Sequence, residues 1–265
     1  MTARPSTTLL FALLALFVAA CRAAPEAAQR VRIVTWNIHH GRGLDDRVDL
    51  ARIADELRVL DADFVLLQEV DVGVRRSGEI DIPAELARRL GMKPAFSKNI
   101  PYQGGEYGNA ILSRWPIIAM HNRHYDMLRE GEQRGLLTVR ADAPAGAIAI
   151  GCTHIDSRRD DAERMQNAPE ILATVAEHGL VAVGGDFNDV PGSRVHAALC
   201  GSLVDCWSEA DPDGEGGTYP AAAPTKRIDW LLRSTGAGWR TRAARVVPTE
   251  ASDHRPVVFE LVRER

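Results

Sequence analysis

Short apolar runs of strand length recur along almost the whole chain, and they constrain its fold more than any other feature. Between them lie polar segments and only three stretches with apolar residues at helical spacing. Because many of the runs are apolar on both faces, two mixed sheets packed face to face, with helices outside, bury them most simply. The predicted strands cover residues 31–36, 63–70, 92–99, 107–112, 116–124, 134–140, 147–154, 180–184, 226–233, 241–247 and 256–262.

Three amphipathic segments are predicted as helices, over residues 48–60, 83–90 and 158–177. The second begins at Pro83 and is followed by Gly91, as is typical of helix starts and ends. Pro169 lies inside the third and is expected to kink or split it, because proline donates no backbone hydrogen bond. With no linker in its interior, the α/β unit is expected to be one domain of residues 31–265 and a monomer.

The first twenty residues are set apart from this domain. Residues 9–20 form a twelve-residue apolar run, shorter than the roughly 20 residues of a membrane-spanning helix and typical of a secretory signal. Small residues directly precede Cys21, an arrangement that resembles a bacterial lipoprotein processing site. We predict a signal peptide over residues 1–20, acylation of Cys21 and a tether over residues 21–30. Cleavage of an ordinary secretory signal after Ala24 is the alternative.

The predicted anchor indicates where the protein acts. Arg22, rather than an acidic residue, follows Cys21, and in the usual lipoprotein sorting pattern this favours the outer membrane. The expected location is the periplasmic face of a bacterial membrane, whose surface the lipid at Cys21 contacts. Export also permits a disulfide, for which Cys200 and Cys206 are the only nearby pair. Cys152 lies in an apolar run and is expected to be a buried thiol.

The charge balance argues against a protein that coats nucleic acid. The formal net charge is −4, so there is no global basic excess to release counterions from a polyanion. Lysines are also few, and they are Lys93, Lys98 and Lys226. No stable nucleic-acid partner is expected.

Acidic, amide and imidazole side chains end or follow several predicted strands. Singly, each is typical of a turn or a cap. Jointly, hard oxygen donors with imidazoles indicate a Mg²⁺ or Mn²⁺ site for phosphoester chemistry. The HExxH motif, which would favour zinc, is absent from the sequence. These residues are Asn37, Glu69, His154, Asp186, Asn188, Asp229, Asp253 and His254.

Seven segments of the chain resemble, in the same order, motifs of the endonuclease/exonuclease/phosphatase superfamily. They are TWNIHHG (35–41), LLQEV (66–70), GNAILSR (108–114), THID (153–156), GGDFND (184–189), IDW (228–230) and SDHRP (252–256). The resemblance implies a four-layered α/β sandwich and metal-dependent hydrolysis of phosphoesters. It covers roughly residues 31–263, and the implied architecture agrees with the one that the apolar runs predict.

The resemblance also implies how a metal ion and the attacking water are held. Glu69 is the principal metal-binding carboxylate, with Asn37 beside it and Asp253 at or near the same Mg²⁺ or Mn²⁺ ion. Asp186 is the general base or a ligand of a second ion. Asn188 is the amide that positions the water.

The remaining implied roles concern the phosphate. His254 bonds a non-bridging phosphate oxygen and stabilises the charge that develops in the transition state. Asp229 keeps the His254 imidazole oriented and protonated. His154 donates a hydrogen bond to a phosphate oxygen or to the leaving group.

Four further residues are candidates for substrate contact. His39 and His40 follow Asn37 in a loop, where a solvated position is the equal alternative. Asn109 and Arg114 fall in the GNAILSR segment, and Arg114 is equally typical of a surface cation. A phosphate-facing patch or, more commonly, solvated surface positions are expected for Arg75, Arg76, Arg134, Arg158 and Arg159.

The predicted function is therefore that of an exported, metal-dependent phosphoesterase. Its substrate is expected to be a phosphodiester or phosphomonoester, namely a lipid head group, an inositol-phosphate-like compound or a nucleotide. A secreted endonuclease or exonuclease that uses the same site is the alternative. An inactive binding module is less favoured, because each carboxylate that the chemistry needs is present.

Overall fold

A computed structural model describes residues 30–144, 146–211 and 213–263 of the chain. These residues form twelve β-strands and five α-helices, arranged as two six-stranded sheets with helices on the outer sides. The predicted α/β sandwich is confirmed. The predicted signal peptide, Cys21 and the tether up to residue 29 lie outside the described residues. Arg30, which the sequence assigns to the end of the tether, is the first residue of a strand.

Both sheets are mixed. The first contains β1 (Arg30–Asn37), β2 (Phe64–Val72), β3 (Lys93–Tyr102), β4 (Gly105–Ser113), β11 (Trp239–Val246) and β12 (Val257–Arg263), in the order β11-β12-β1-β2-β4-β3. The second contains β5 (Ile117–His124), β6 (Gly135–Ala143), β7 (Gly146–His154), β8 (Ala182–Asp186), β9 (Leu203–Asp205) and β10 (Asp229–Ser234), in the order β5-β6-β7-β8-β10-β9.

The same pairing pattern occurs at the centre of each sheet. The parallel pair β1 and β2 is flanked by antiparallel β12 and β4, and the parallel pair β7 and β8 by antiparallel β6 and β10. The carboxyl ends of each parallel pair therefore lie at the same edge as the amino ends of the flanking strands. Side chains that end the former or precede the latter meet at that edge.

The central strands are apolar on both faces because both faces are covered. Ile33 and Phe64 of the first sheet pack against Leu137 and Ile150 of the second, and all four are buried. Burial of such a side chain stabilises the fold by about 1.5–3 kcal/mol. On the outer faces, two further clusters join the first sheet to helices α1 (Leu50–Leu60) and α2 (Ile82–Leu90), and the second sheet to α3 (Ala162–His178) and α4 (Arg194–Cys200).

Local chemistry sets the helix ends. The Asp49 side chain accepts hydrogen bonds from the N–H groups of Ala51 and Arg52, so α1 begins two residues after the predicted start. Helix α2 ends at Gly91, whose φ of +68° closes the last turn at no steric cost to glycine.

Of the two effects expected of Pro169, a kink or a split, the split is not found. Helix α3 runs without interruption through Pro169 and begins at Ala162, later than expected. Pro169 is exposed, so a carbonyl left without its N–H partner can be hydrated. The buried side chains of Ala168, Ile171 and Val175 hold both halves of the helix on the sheet.

Three short elements escape the sequence patterns, namely α4, β9 and α5 (Cys206–Ala210). Each is too short to show a helical or strand period. Cys152 is buried as predicted, and Cys200 and Cys206 are free thiols. Within residues 30–263 as described, no helix has the length and apolarity to cross a membrane.

Candidate active site

The polar residues predicted at strand ends do lie at one edge of the sandwich. Asn37 ends β1, His154 ends β7, Asp186 ends β8 and Asp229 begins β10. The strand registers place Asp186 between His154 and Asp229. The shared edge thus brings side chains from four strands and two sheets together.

The Asn37 amide connects the two sheets. Its Nδ2 donates hydrogen bonds to Oε1 of Glu69 at 3.0 Å and to Oδ2 of Asp186 at 3.1 Å. Its Oδ1 accepts from the backbone N–H of His39 at 3.1 Å. Asn37 is buried, so the carboxylates of Glu69 and Asp186 are held on either side of one side chain.

An irregularity in β2 aims Glu69 at this edge. The pairing of β2 with β4 shifts register between Leu67 and Val70, and Glu69 has a φ of +57°. A bulge of this kind places an extra residue out of the normal alternation. Glu69 is therefore half-buried at the cleft instead of following the pleat of the strand.

Gly185 permits the close approach of β7 and β8. Its φ is +151°, and a Cβ atom built on it would lie 1.8 Å from the carbonyl oxygen of Thr153. No side chain fits in that space. Glycine at this position lets the backbone place Asp186 directly beside His154.

His254 and Asp229 form a buried ion pair. Nδ1 of His254 lies 2.9 Å from Oδ2 of Asp229, and both residues are buried. Burial alone would lower the pKa of His254, but the charges of Asp229 and Asp186 outweigh it and raise this pKa to about 10. The imidazole is therefore protonated at neutral pH, with Nε2 3.7 Å from Oδ2 of Asp186.

Asp186 is a fully enclosed acid of the site. Burial raises its pKa to about 7, against the opposing charge of His254, and Asp229 adds to the rise. The backbone N–H of Asn188 donates to Oδ1 of Asp186 at 2.9 Å. A carboxyl group tuned in this way can accept a proton near neutral pH.

His154 is kept neutral on the other side of Asp186. Burial lowers its pKa well below the ordinary value, and the charges of Arg134 and His254 act in the same direction. Arg134 can only donate, so Nδ1 of His154 accepts its hydrogen bond at 2.9 Å. The single ring hydrogen then sits on Nε2, 3.4 Å from Oδ2 of Asp186. Nδ2 of Asn188 is also a donor and lies 3.0 Å from the same Nε2, so in this tautomer the Asn188 amide donates elsewhere, to the carbonyl oxygen of Ile155.

The loop before β12 is fastened to the end of β1. The Ser252 hydroxyl donates to the carbonyl oxygen of Asn37 at 2.7 Å. This contact places Asp253 at the cleft, where its Oδ1 lies 3.6 Å from Nδ1 of His39. The three predicted metal ligands, Asn37, Glu69 and Asp253, therefore share one region.

His39 and His40 lie beside Glu69. Their rings meet edge to face with centroids 4.7 Å apart, and ligand atoms of both lie within 4.8 Å of a Glu69 oxygen. His40 is buried, and burial, followed by the charge of Arg76, lowers its pKa to about 4. Of the two outcomes expected from the sequence, a freely solvated loop position is excluded for His40.

Asn109 lies in the middle of β4, and Arg114 directly follows the last residue of that strand. Asn109 is buried opposite the bulge of β2, and its Nδ2 donates to the carbonyl oxygen of Gly135, which pairs with His154 across the sheet. Asn109 thus supports the wall of the cleft. Arg114 pairs instead with Asp61 at 2.6 Å, and the predicted substrate contact is corrected to a surface ion pair at the far end of the sheet.

A cleft of about 610 Å³ opens over Glu69, Asp186 and His254, and its rim is rich in cations. Arg134, Arg158 and Arg164 each form an ion pair with a neighbouring acid. Arg159 and Lys226 also line the cleft and are exposed, and neither has an ion pair within the described residues. These two are the cations of the rim that remain available to an anionic ligand.

Sequence reasoning missed several residues of this cleft. Tyr219 places its ring 4.8 Å from that of His254, and Arg164 bonds Asp189 of the GGDFND segment. Tyr219 lies in a loop with no strand signal, and Lys226, predicted as the first residue of a strand over 226–233, lies in the loop before β10. Lys226 was visible as one of three lysines, and its place just before IDW was the usable clue.

The chain resembles known proteins over most of its length. The family model described as the Endonuclease/Exonuclease/phosphatase family matches residues 34–254. The protein YbhP of Escherichia coli K12 is 28% identical over 244 residues, which is 87% of this chain and 95% of YbhP.

Solved structures share the fold. An endonuclease/exonuclease/phosphatase from Beutenbergia cavernae superposes with a TM-score of 0.72 at 25% identity, covering 89% of this chain and 72% of that one. The mannosyl-6-phosphatase Bt3783 of Bacteroides thetaiotaomicron superposes with a TM-score of 0.69 at 18% identity, covering 88% and 99%. The latter likeness shows the fold alone.

Replacing Asp229 by Asn keeps the shape of the side chain but removes the charge that keeps His254 protonated. Because the folded-state pKa of about 10 exceeds the ordinary 6.5, the stability from this pair is present below pH 6.5 and is lost as the pH rises through about 10. We expect Asp229→Asn to lower the free energy of unfolding by about 3 kcal/mol at pH 6 and by much less at pH 10.5. Urea denaturation in EDTA measures both values.

Asp61→Asn is the control for this measurement, since Asp61 forms an exposed ion pair with Arg114. It should change the free energy of unfolding by less than about 1 kcal/mol at either pH. An equal loss at both pH values in Asp229→Asn would contradict the assignment of a raised His254 pKa.

Proposed function

This chain belongs to the Endonuclease/Exonuclease/phosphatase family, and from that premise we propose that it hydrolyses a phosphoester with the help of a divalent metal ion. One observation carries the proposal. A single amide, that of Asn37, holds Glu69 and Asp186 within hydrogen-bond distance beside the buried His254–Asp229 pair. Acids from two sheets and a protonated imidazole thus face one cleft, and charge neutralisation and proton transfer at a phosphate need such groups.

The donor set fits a hard divalent cation. Glu69 and Asp253 offer carboxylate oxygens and Asn37 an amide oxygen, which Mg²⁺ and Mn²⁺ accept as ligands. Oδ1 of Asp229 is buried and lacks a hydrogen-bond partner in the described part of the chain. Together with the raised pKa of Asp186, this orphan oxygen supports a site that is short of positive charge. A cation held by Glu69, Asn37 and Asp253 supplies charge neutralisation at the phosphoryl oxygens.

The other side chains then divide the proton chemistry. His254, kept protonated by Asp229, donates from Nε2 to a non-bridging phosphate oxygen. Asp186 accepts the proton of the attacking water, which the Asn188 amide orients. His154 carries its hydrogen on Nε2 and donates to a phosphate oxygen or to the oxygen of the leaving group.

The cleft favours a small, polar phosphoester over a polymer. Its volume of about 610 Å³ is that of a small-molecule site, and the formal net charge of −4 opposes retention of a long polyanion. We therefore propose a lipid head group, an inositol-phosphate-like compound or a nucleotide as the substrate. A neighbour in fold named as a mannosyl-6-phosphatase is compatible with a phosphorylated small molecule.

We also propose that the protein acts outside the cytoplasm, held at the periplasmic face of a bacterial membrane by acylated Cys21. The apolar run of residues 9–20 and the small residues before Cys21 support this location. A soluble exported form, cut after Ala24, remains the alternative to the lipid-anchored one.

Hydrolysis of bis(p-nitrophenyl) phosphate tests the activity. The full chain should show turnover with Mg²⁺ or Mn²⁺ that EDTA abolishes. Asp186→Ala and His254→Ala should each lower kcat at least about 100-fold, since each removes a group used in the transition state. Asp61→Ala, remote from the cleft, is the control and should keep kcat. Turnover that persists in EDTA or in Asp186→Ala would contradict the mechanism.

A panel of substrates distinguishes a small-molecule or lipid phosphoesterase from a nuclease. We expect phospholipids, inositol phosphates or nucleotides to be cleaved more efficiently than plasmid DNA. Robust nicking of plasmid DNA at physiological salt would favour the nuclease alternative instead.

The unpaired rim cations should contribute to substrate binding. We expect Arg159→Ala and Lys226→Ala each to raise KM about fivefold for the best phosphoester of the panel, which corresponds to about 1 kcal/mol, with kcat changed less than about twofold. Arg242→Ala is the matched control, because Arg242 is exposed on β11 and pairs with Glu260. Loss of kcat at unchanged KM would place Arg159 or Lys226 in the chemistry instead.

The location is tested by expressing the full chain with Cys21→Ser. We expect the wild-type protein to sediment with membranes and the variant to lose that association, because one thioether-linked lipid group no longer forms. Ser6→Ala, at a position outside the apolar run, is the control. Membrane association that persists in Cys21→Ser would contradict the anchor.

A further inference from the structure

A group of nitrogen and oxygen donors lies beside the oxygen-rich centre of the cleft. Ligand atoms of His39, His40 and Glu69 all lie within 4.8 Å of one another. Asp253 adds a carboxylate oxygen 3.6 Å from Nδ1 of His39. The set is therefore richer in nitrogen than the group of Asn37, Glu69 and Asp253 alone.

One ring nitrogen of His40 is buried without a hydrogen-bond partner among the described residues. The residue is 6% exposed, and its Nδ1 is fully buried without a hydrogen-bond partner among residues 30–144, 146–211 and 213–263. Leaving a buried polar atom unsatisfied costs about 1–3 kcal/mol, so such atoms in native proteins call for an explanation. A metal ion or an enclosed water is what satisfies a buried imidazole nitrogen.

The backbone holds the two imidazoles in this place. His39 and His40 have φ values of +46° and +47°, so two successive residues with side chains adopt the left-handed region. Such a conformation costs roughly 1–2 kcal/mol per residue. Backbone hydrogen bonds from Gly41 to Ile38 and from Asp49 to Gly41 fix the turn that carries both rings.

The charged side chains next to the two histidines are bound to other partners. Arg76, whose charge acts on His40, is itself bound to Asp71 by two hydrogen bonds of 2.9 Å and is stacked on the Tyr102 ring. Glu69 is bound on one side by the Asn37 amide. The Glu69 carboxylate thus borders both the Asn37 amide and the imidazole pair.

We propose that His39, His40 and Glu69 form a transition-metal position, which takes Mn²⁺, Co²⁺ or Zn²⁺ in preference to Mg²⁺. Imidazole nitrogen suits these ions, whereas Mg²⁺ selects oxygen ligands. The position shares Glu69 with the ion of the proposed phosphoesterase, and the inference rests on that proposed function for the role of the second ion. It reassigns His39 and His40 from substrate contact to metal binding.

The test measures binding and does not depend on hydrolysis. The full chain is stripped with EDTA and titrated with Co²⁺, and the visible absorption of the bound ion is recorded. Calorimetric titrations with Mn²⁺ and Mg²⁺ are run in parallel. The variants are His39→Gln and His40→Gln, with His124→Gln as the control, because His124 is an exposed histidine on β5.

We expect each of the two variants to weaken Co²⁺ binding at least tenfold and to reduce the visible absorption, while the Kd for Mg²⁺ stays within about twofold. His124→Gln should bind both ions as the wild type does. Pulsed EPR of the Mn²⁺-loaded wild type should show ¹⁴N coupling that falls in both variants.

Three results would overturn the inference: Co²⁺ affinity unchanged in both variants, equal losses for Co²⁺ and Mg²⁺, or no Co²⁺ binding by the wild type. Circular dichroism checks folding, and His39→Gln, at a side chain that is 28% exposed, guards against misfolding of the buried variant. Failure here leaves metal-dependent hydrolysis intact. Conversely, a chain that binds Co²⁺ through these histidines but hydrolyses nothing would contradict only the proposed function.

Discussion

The two hydrogen bonds from Nδ2 of Asn37 are the interaction on which the site depends. They join Glu69 of the first sheet to Asp186 of the second, so the packing of two separate sheets fixes the distance between two carboxylates. Without a donor between them, the two like charges would repel each other at the cleft. The interior of the sandwich, filled by side chains such as Phe64 and Ile150, thereby holds the geometry of its polar edge.

The two imidazoles of the cleft are kept in opposite charge states by their partners. His254 faces Asp229 and Asp186, and the resulting pKa of about 10 keeps it cationic. His154 faces Arg134 and has its pKa pushed down by burial and by that charge. Asp186 lies between a cation that accepts no proton and a neutral ring that presents one hydrogen. The proposed division of acid and base roles thus follows from side-chain contacts that are already in place.

Sequence patterns predicted the meeting of Asn37, Asp186 and His254 because strand ends of parallel pairs share an edge. The same patterns gave a wrong position for Arg114, because it follows the carboxyl end of a strand that runs in the opposite direction. Strand β4 is antiparallel, so the GNAILSR segment carries the chain away from the site. Residues such as Lys226 lie in a loop whose path depends on contacts between residues far apart in sequence, for example the hydrogen bond from the N–H of Ala221 to the carbonyl oxygen of Asp253. No local period encodes such contacts.

The close approach at Gly185 has a consequence for how this enzyme scaffold tolerates change. With no room for a side chain against the Thr153 carbonyl, backbone-to-backbone distance sets the spacing of His154 and Asp186. At the floor of the cleft, the two strands thus meet backbone to backbone, with no side chain between them. Arg159 and Lys226 belong to the loops above it. Substitutions in those loops can therefore change which phosphoester is preferred while the distance between His154 and Asp186 stays the same.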